Sequence, residues 1–226
     1  GTLEVVAKEI TSMNIKNIKV NYTGYNIENE IEVISGSYKL NESEYKVSYS
    51  NNKDVGLATI TIEGINNFSG YLTKSFTIVA VDLLVSVSSQ ELTYGESLLE
   101  HKCTFEGFVG EDDVNSLTGE ATFTTNYQNK VGNYYVIVSG YKSKNYNIKY
   151  DNGTIKINPY TVKASEFSLL ETAFEYCNQA IKPKVVNTLN ATEGIDYTVT
   201  YENNFNAGKG TLKIKCKGNY LGEIDI

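Results

Sequence analysis

The side chains that could support nucleophilic catalysis are few. His101 is the only histidine, so a Ser-His-Asp or Cys-His arrangement would have to be built around it. Cys103 lies two residues further on, but the pattern Cys103-x-Phe105 is typical of a strand with both side chains buried, where cysteine behaves as a small apolar residue. This stretch supplies neither an oxyanion loop nor a third group to orient a base. The sequence therefore predicts no catalytic residue and no enzyme activity.

An acidic run could in principle bind a cation. Glu111, Asp112 and Asp113 are consecutive, and Ca²⁺ requires several carboxylate oxygens around one point. Three adjacent side chains cannot all converge, and the alternating Asp-x-Asp-x-Asp spacing of a calcium loop is missing. We expect these acids to cap the turn that follows them, and we predict no metal ion and no cofactor.

The three cysteines do not form a disulfide framework, since an odd number cannot pair completely within one chain. Cys177 and Cys216 lie in the same third of the sequence. Cys216 continues the inward face of the strand that contains Leu212, whereas Cys177 follows Tyr176 and is expected to point the other way. The sequence leaves open whether Cys177 and Cys216 pair.

The charge excludes several classes of partner. Lysine and arginine total 20, all of them lysine, against 27 acidic residues and a net charge of -7. A chain of this charge is a poor ligand for nucleic acid, and the lack of arginine weakens bidentate recognition of phosphate. No apolar run reaches 18 residues. We expect no nucleic-acid partner, no membrane insertion by this segment, and a monomer.

Tyrosines are the most serious candidates for a binding surface, because 18 are present against 8 phenylalanines. Tyrosine stacks on sugar rings and is effective in protein recognition. The alternative, which we favour, is that these tyrosines lie at strand ends with their hydroxyl groups in water. The residues considered are Tyr135, Tyr141, Tyr146, Tyr150 and Tyr160.

Three glycines mark the internal repeat that must position all of these residues. Gly56, Gly132 and Gly208 are separated by 76 positions, and each opens a stretch of alternating apolar and polar residues. In the first stretch Ala58 and Ile60 lie on one face, as in a half-buried antiparallel strand. Such a period indicates an array of similar units. We expect each glycine to have a positive φ or to be closely approached, so that a β-branched residue there would be strained.

Other landmarks recur at similar spacing. The pattern Tyr45-x-Val47-x-Tyr49 corresponds to Tyr197-x-Val199-x-Tyr201, and Asn-rich connections follow both, as positions of positive φ prefer. Upstream, residues 22–27 line up with residues 176–181. A later pair occurs three times, as Asn67-Phe68, Asn145-Tyr146 and Asn219-Tyr220. The first and third repeats are close relatives, and the middle one is more distant.

These landmarks predict three domains, at residues 1–80, 81–158 and 159–226. Each has six or seven short strand candidates with turn residues between them, which favours an all-β fold of three tandem small immunoglobulin-like β-sandwiches. The short, strand-like junctions predict an elongated array. A closed barrel or a β-grasp fold remains an alternative, because residues 110–117 could form one helical turn.

The middle domain resembles the MBG domain of bacterial surface proteins over nearly the whole of residues 81–158. The matching motifs are Leu92-Thr-Tyr-Gly-Glu96, Gly107-Phe-Val-Gly-Glu-Asp-Asp113, Leu117-Thr-Gly119, Val131-Gly-Asn-Tyr134, Val138-Ser-Gly140 and the stretch from Asn145-Tyr146 to Asn152-Gly-Thr-Ile-Lys-Ile157. One departure is His101-Lys102, where the family pattern leads us to expect a proline-containing stretch.

The flanking domains are similar to an Ig-like repeat of large cell-surface proteins of Gram-positive bacteria. In the third domain the motifs are Ile181-Lys-Pro183, Asp196-Tyr-Thr-Val-Thr-Tyr-Glu-Asn-Asn204 and Gly218-Asn-Tyr-Leu-Gly222. In the first they are Glu44-Tyr-Lys-Val-Ser-Tyr-Ser-Asn-Asn52, Val55-Gly56 and Asn67-Phe-Ser-Gly70. By this resemblance the third repeat is expected to be trimmed before its closing strand.

These resemblances imply a non-catalytic tandem-repeat segment of a secreted or cell-wall-attached bacterial surface protein, with a role as stalk, spacer or adhesion region. They carry no catalytic residues over to this chain. The alternative function is a module that binds carbohydrate or host protein through exposed tyrosines. Its partners would be glycans or proteins of the host or of neighbouring cells.

Overall fold

The chain is all-β. The computed structural model describes residues 1–226, of which 48% lie in strands and none in an α-helix. Three short 3-10 turns occur at Glu42–Glu44, Val114–Ser116 and Ala164–Glu166, and no helix has the length and apolar character needed to cross a bilayer. The predicted fold class is therefore confirmed, and the helical turn considered at residues 110–117 is the single 3-10 turn Val114–Ser116.

The strands are short and follow the repeats. Residues 1–80 contain β1 (Lys8–Glu9), β2 (Ser12–Ile15), β3 (Lys19–Asn21), β4 (Ile31–Ser35), β5 (Tyr38–Lys39), β6 (Tyr45–Ser50), β7 (Gly56–Gly64), β8 (Phe68–Ser69) and β9 (Tyr71–Val79). Residues 81–158 contain β10 (Val81–Val87), β11 (Gln90–Thr93), β12 (Cys103–Glu106), β13 (Thr122–Thr125), β14 (Gly132–Ser139), β15 (Tyr146–Asp151) and β16 (Gly153–Asn158). Residues 159–226 contain β17 (Tyr160–Thr161), β18 (Phe167–Leu169), β19 (Val185–Asn187), β20 (Tyr197–Glu202), β21 (Thr211–Cys216), β22 (Tyr220–Leu221) and β23 (Glu223–Asp225).

Contacts divide the chain into two compact units. The first comprises residues 1–86, 103–122 and 138–151, and the second comprises residues 87–102, 123–137 and 152–226. These limits follow spatial contacts and not the sequence repeat. The domain division at 1–80, 81–158 and 159–226 therefore stays a prediction.

The first unit contains a four-stranded sheet in the order β3-β9-β7-β6. Strand β7 pairs antiparallel with both β6 and β9, and β3 joins the other edge of β9 in parallel. Solvent is excluded from the inward face of this sheet. Five of its side chains are each no more than 1% exposed: Ala58, Ile60, Ile62, Phe76 and Ile78. The alternation predicted for β7 is thus confirmed. The unit also contains the sheets β2-β4-β5, β12-β10-β15 and β1-β8.

The second unit contains most of the sheet β11-β16-β14-β13, together with the three-stranded sheet β20-β21-β23 and the pairs β17-β22 and β18-β19. The core of its C-terminal part includes Phe167, Val185, Tyr197, Ile214 and Tyr220, all buried. Ile214 continues the same inward alternation that Ile62 has in the first unit.

The repeat in the sequence corresponds to a repeated pattern of strand pairing. Each copy opens with a strand that pairs in parallel with the strand at its Asn-Phe or Asn-Tyr landmark: β1 with β8, β10 with β15, and β17 with β22. The three landmark glycines have φ of 141°, 156° and 144° at Gly56, Gly132 and Gly208. Open space surrounds the Cβ position of Gly56 and of Gly208, so backbone conformation, and not crowding, favours glycine there.

Candidate functional site

The residues considered for catalysis have ordinary structural surroundings. The His101 ring lies 5.4 Å from the Phe123 ring, and its Nδ1 is 3.2 Å from the Gln90 side-chain nitrogen. Cys103 is half-buried, and burial raises the pKa of its thiol. A raised pKa disfavours the thiolate that a nucleophile needs. The contacts of both residues are those of packing side chains.

All three cysteines are free thiols. Cys216 is buried, and that burial together with the negative charge of Asp196 raises the pKa of its thiol. Cys177 is exposed, with its sulfur 3.7 Å from the Gln179 carbonyl oxygen. The opposite orientations expected for the two residues are present, and the structure contains no bridge between them.

The acidic turn is the centre of a hydrogen-bond cluster. Asp113 caps the 3-10 turn as expected, accepting from the Asn115 N–H at 2.8 Å. Asp112 instead accepts from the hydroxyls of Tyr22 at 2.8 Å and Tyr146 at 2.6 Å through the same oxygen. The two tyrosine rings meet edge to face at 5.6 Å. We call Tyr22, Asp112 and Tyr146 the first clasp, because it joins the end of β3 to the start of β15.

The first clasp is held together by charge. Burial alone would raise the pKa of Asp112, but the hydrogen bonds from Tyr146, Tyr22 and Ser116 outweigh burial, and the net pKa is lowered. Burial and the hydrogen bond to Asp112 raise the pKa of Tyr146 to about 12, and the same two causes raise that of Tyr22. Both tyrosines therefore stay protonated donors to an ionised carboxylate, an arrangement stronger than a neutral hydrogen bond.

Two further contacts reinforce the first clasp. The Asn145 side-chain oxygen accepts from the Val55 N–H at 3.0 Å, while its nitrogen donates to the Asp54 carboxylate at 3.0 Å. The backbones also touch, because a Cβ atom on Gly24 would lie 2.9 Å from the Val109 carbonyl oxygen. A larger residue at Gly24 would force these two loops apart.

An equivalent arrangement recurs in the second unit. The rings of Tyr94 and Tyr220 meet edge to face at 5.4 Å, and the Asn219 side-chain oxygen accepts from the Val131 N–H at 2.9 Å. The Tyr220 hydroxyl donates to the Leu189 carbonyl oxygen at 3.0 Å. We call Tyr94, Tyr220, Asn219 and Val131 the second clasp. Neither tyrosine of the second clasp donates to a carboxylate, although the negative charge of Asp196 is close enough to contribute to the raised pKa of Tyr220.

The two clasps use corresponding positions of the repeat. In the first copy Tyr22 follows β3, and its backbone N–H donates to the Val79 carbonyl oxygen in the last strand, β9. In the second copy Tyr94 follows β11, and its backbone N–H donates to the Asn158 carbonyl oxygen in the last strand, β16. Val55 and Val131 both precede the landmark glycine by one residue. Sequence reasoning identified the Asn-Tyr landmark but missed its role in joining consecutive copies.

The five tyrosines considered for binding differ in exposure. Tyr135 is 46% exposed, whereas Tyr146 is 4% exposed. The interpretation of Tyr146 as an exposed residue is therefore wrong, because the clasp buries it. Tyr141, Tyr150 and Tyr160 are half-buried. No group of three or more His, Cys, Asp or Glu side chains could hold a metal ion.

One protein family matches part of the chain. Residues 83–156 match the MBG domain (YGX type). The match confirms the resemblance seen in the motifs of the middle repeat, and it covers about a third of the chain. The MBG segment contributes Asp112 and Tyr146 to the first clasp and Tyr94 to the second.

Comparison with whole proteins adds little. No curated protein matches the chain. Among solved structures, extracellular cadherin domains 1–4 of protocadherin gamma B7 align with 97% of this chain and 75% of that chain at 9% identity, with a TM-score of 0.24.

Proposed function

We propose that this chain is a non-catalytic tandem-repeat segment of a secreted or cell-wall-attached bacterial surface protein, in which it acts as a stalk or spacer or as an adhesion region. The observation that carries the proposal is the recurrence of the clasp. Corresponding residues of the repeat are used twice to join a tyrosine of one copy to the Asn-Tyr pair of the next.

A spacer needs stiff connections between its copies, and the clasps provide such connections. A Gly/Ser linker lets its ends move independently, whereas side chains that bond a neighbouring backbone amide fix an angle. Asn145 bonds the Val55 amide and Asn219 bonds the Val131 amide. Edge-to-face tyrosine pairs add directional contact beyond simple burial. Every copy that carries the same residues can be joined in the same way, which is what a stalk of many copies requires.

The MBG match supports a surface location, since the resemblance on which it rests is to proteins outside the cell. The net charge of -7 makes nucleic acid an unfavourable partner. We propose an extracellular, monomeric segment.

NMR relaxation of the full chain tests whether the first clasp restricts the motion of β15 relative to β7. In the wild type we expect the same rotational correlation time for amides of β7 and of β15. Asn145→Ala should separate the two values and speed hydrogen exchange at the Val55 amide. Asn147→Ala, at an exposed position two residues further on in β15, is the matched control and should change neither. Independent motion of β7 and β15 in the wild type would contradict the stalk role.

The second candidate function is a module that binds carbohydrate or host protein. It is favoured by Tyr135 and Ile137, which are 46% and 41% exposed and, two residues apart in β14, lie on one face. Probing a glycan array and a panel of host matrix proteins with the full chain tests it. Saturable binding that Tyr135→Ser abolishes and Tyr71→Ser retains would establish this function. Absence of binding would leave the stalk role favoured.

A further inference from the structure

A groove of about 770 Å³ lies beside the second clasp. It is lined by the turn after β11, which contains Tyr94 and Glu96, by the loop before β20, which contains Asp196, and by Tyr160 and Tyr220. All of these residues belong to the second unit. Its volume lies within the range of small-molecule sites in proteins.

The corresponding position at the first clasp is closed. Tyr22, the counterpart of Tyr94, is followed by a loop in which a Cβ atom on Gly24 would lie 2.9 Å from the Val109 carbonyl oxygen. At the second clasp, Gly95 directly follows Tyr94 and has open space around its Cβ position. The junction that is tightly packed in the first copy is therefore open in the second.

The tyrosines of the groove are held in place by the protein. The Tyr220 ring meets the Tyr94 ring edge to face at 5.4 Å and the Tyr160 ring at 6.4 Å. The Tyr220 hydroxyl donates to the Leu189 carbonyl oxygen at 3.0 Å, and the Tyr160 hydroxyl donates to the Glu166 carboxylate at 2.6 Å. Because these two hydroxyl groups already have acceptors, the rings are what the tyrosines offer to a ligand. The face of a tyrosine ring attracts a cation.

The charge of the lining also favours a cation. Glu96 and Asp196 are acidic, and no lysine lines the groove. One oxygen of each carboxylate is fixed by the backbone, since Glu96 accepts from the Thr93 N–H at 2.7 Å and Asp196 accepts from the Thr192 N–H at 2.8 Å. Burial is the main cause that raises the pKa of the Tyr220 hydroxyl, and the negative charge of Asp196 adds to it. The charge of Asp196 thus acts on the tyrosines of the groove.

We propose that this groove binds an organic ammonium group, supplied by a lysine side chain or by a quaternary ammonium compound. Tyrosine rings and carboxylates both attract its positive charge, and its carbon atoms pack against the aromatic rings. A phosphate or another anion would meet two carboxylates and no lysine. The proposal does not depend on the stalk role, because both clasps are complete without a ligand.

The test is an NMR titration of the full 226-residue chain with choline and with Nα-acetyl-lysine methylamide. The uncharged controls are dimethylbutanol, the isostere of choline, and the corresponding norleucine derivative. We expect a dissociation constant below about 10 mM for at least one ammonium compound, with chemical-shift changes at the Gly95 and Asp196 amides. Its uncharged control should bind at least about tenfold more weakly.

The two ammonium compounds distinguish the sources of the ligand. Binding of choline alone assigns the groove to quaternary ammonium compounds, and binding of the lysine derivative alone assigns it to peptide side chains. Binding of both supports recognition of the ammonium group itself. Failure of both to bind, or equal binding of the uncharged controls, would overturn the proposal.

Matched variants locate the ligand in the groove. The double variant Glu96→Gln, Asp196→Asn removes both charges and keeps an oxygen for each backbone hydrogen bond, so it should weaken binding at least about tenfold. Glu100→Gln removes an exposed charge outside the groove and should leave binding unchanged. Tyr94→Leu should weaken binding about threefold or more, whereas Tyr135→Leu, outside the groove, should not. Full affinity in the folded double variant would overturn the proposal whether or not Tyr94→Leu folds.

Discussion

The sheets of the first and third repeats share a pattern but differ in completeness. In the first, β9 is nine residues long and pairs with β7 from Gly56 to Glu63. In the third, β23 covers β21 only from Lys213 to Lys215. Residues 208–210 are not in a strand, whereas the corresponding residues 56–58 are the start of β7. Alternation thus places side chains on a face, but a neighbouring strand is needed to bury them.

The clasps show a second difference between corresponding positions. Both clasps pair two tyrosine rings, and at each of them an asparagine side-chain oxygen accepts a hydrogen bond from a valine amide. In the first, an ionised Asp112 accepts from both tyrosines, whereas in the second the Tyr220 hydroxyl donates to a backbone carbonyl. The same repeat position is therefore stabilised by charge in one copy and by neutral hydrogen bonding in the other.

The largest expected loss of stability is in the sheet β3-β9-β7-β6 of the first repeat. Phe76→Ala should destabilise the chain by about 3–5 kcal/mol, since it leaves a cavity in a fully buried layer. Urea denaturation followed by circular dichroism measures it. Leu57→Ala, at a position 64% exposed on the partner strand, should change the free energy of unfolding by no more than about 0.5 kcal/mol. Similar losses for the two variants would mean that β9 does not close the first sheet.

The next effect separates the two clasps. Asp112→Ala should destabilise the first unit by about 2–3 kcal/mol, because both tyrosine hydroxyls lose a charged acceptor. Tyr220→Phe should cost only about 1 kcal/mol, the value of a neutral hydrogen bond. Glu111→Ala, at an exposed neighbour of Asp112, is the control for loss of charge. Denaturation curves in which Tyr220→Phe is the more damaging variant would contradict the charge difference.

Glycine replacement compares the two sheets at one position. Gly56→Val should cost about 1–3 kcal/mol, since φ of 141° is strained for a β-branched residue. Gly208→Val should cost less, because residues 208–210 are outside the strand and the backbone can relax. Thermal denaturation of both variants, with Leu57→Val as a control, gives the ranking. A larger loss of stability for Gly208→Val would show that the backbone of residues 208–210 is more constrained than its position outside a strand indicates.

The smallest effect is in the pH dependence of the first clasp. The pKa of Asp112 is lowered on folding, so its contribution is present above the unfolded value of about 3.9 and is lost as the pH falls through the folded value. Glu32, Asp82 and other surface carboxylates also have lowered pKa values.

The contribution of Asp112 is therefore isolated by the difference in melting temperature between the wild type and Asp112→Asn, measured from pH 7 to pH 2. The difference should shrink below about pH 4. A constant difference across this range would exclude an ionised Asp112 as the acceptor.

The sequence by itself determined the repeat, the strand faces and the special backbone positions. Ala58, Ile60 and Ile62 were assigned correctly because the two-residue period of a strand is local. The conformations of Gly56 and Asn51 also follow from the preferences of single residues, and both have positive φ. The MBG motifs identified the middle segment for the same reason, since they are short and lie in order along the chain.

Only the tertiary structure decided which residues meet. Tyr22 bonds Asp112 across 90 positions, and Val55 bonds Asn145 across the same separation. Periodicity cannot predict such contacts, because they depend on how one copy packs against the next. For that reason Tyr146 was expected to be exposed and is buried.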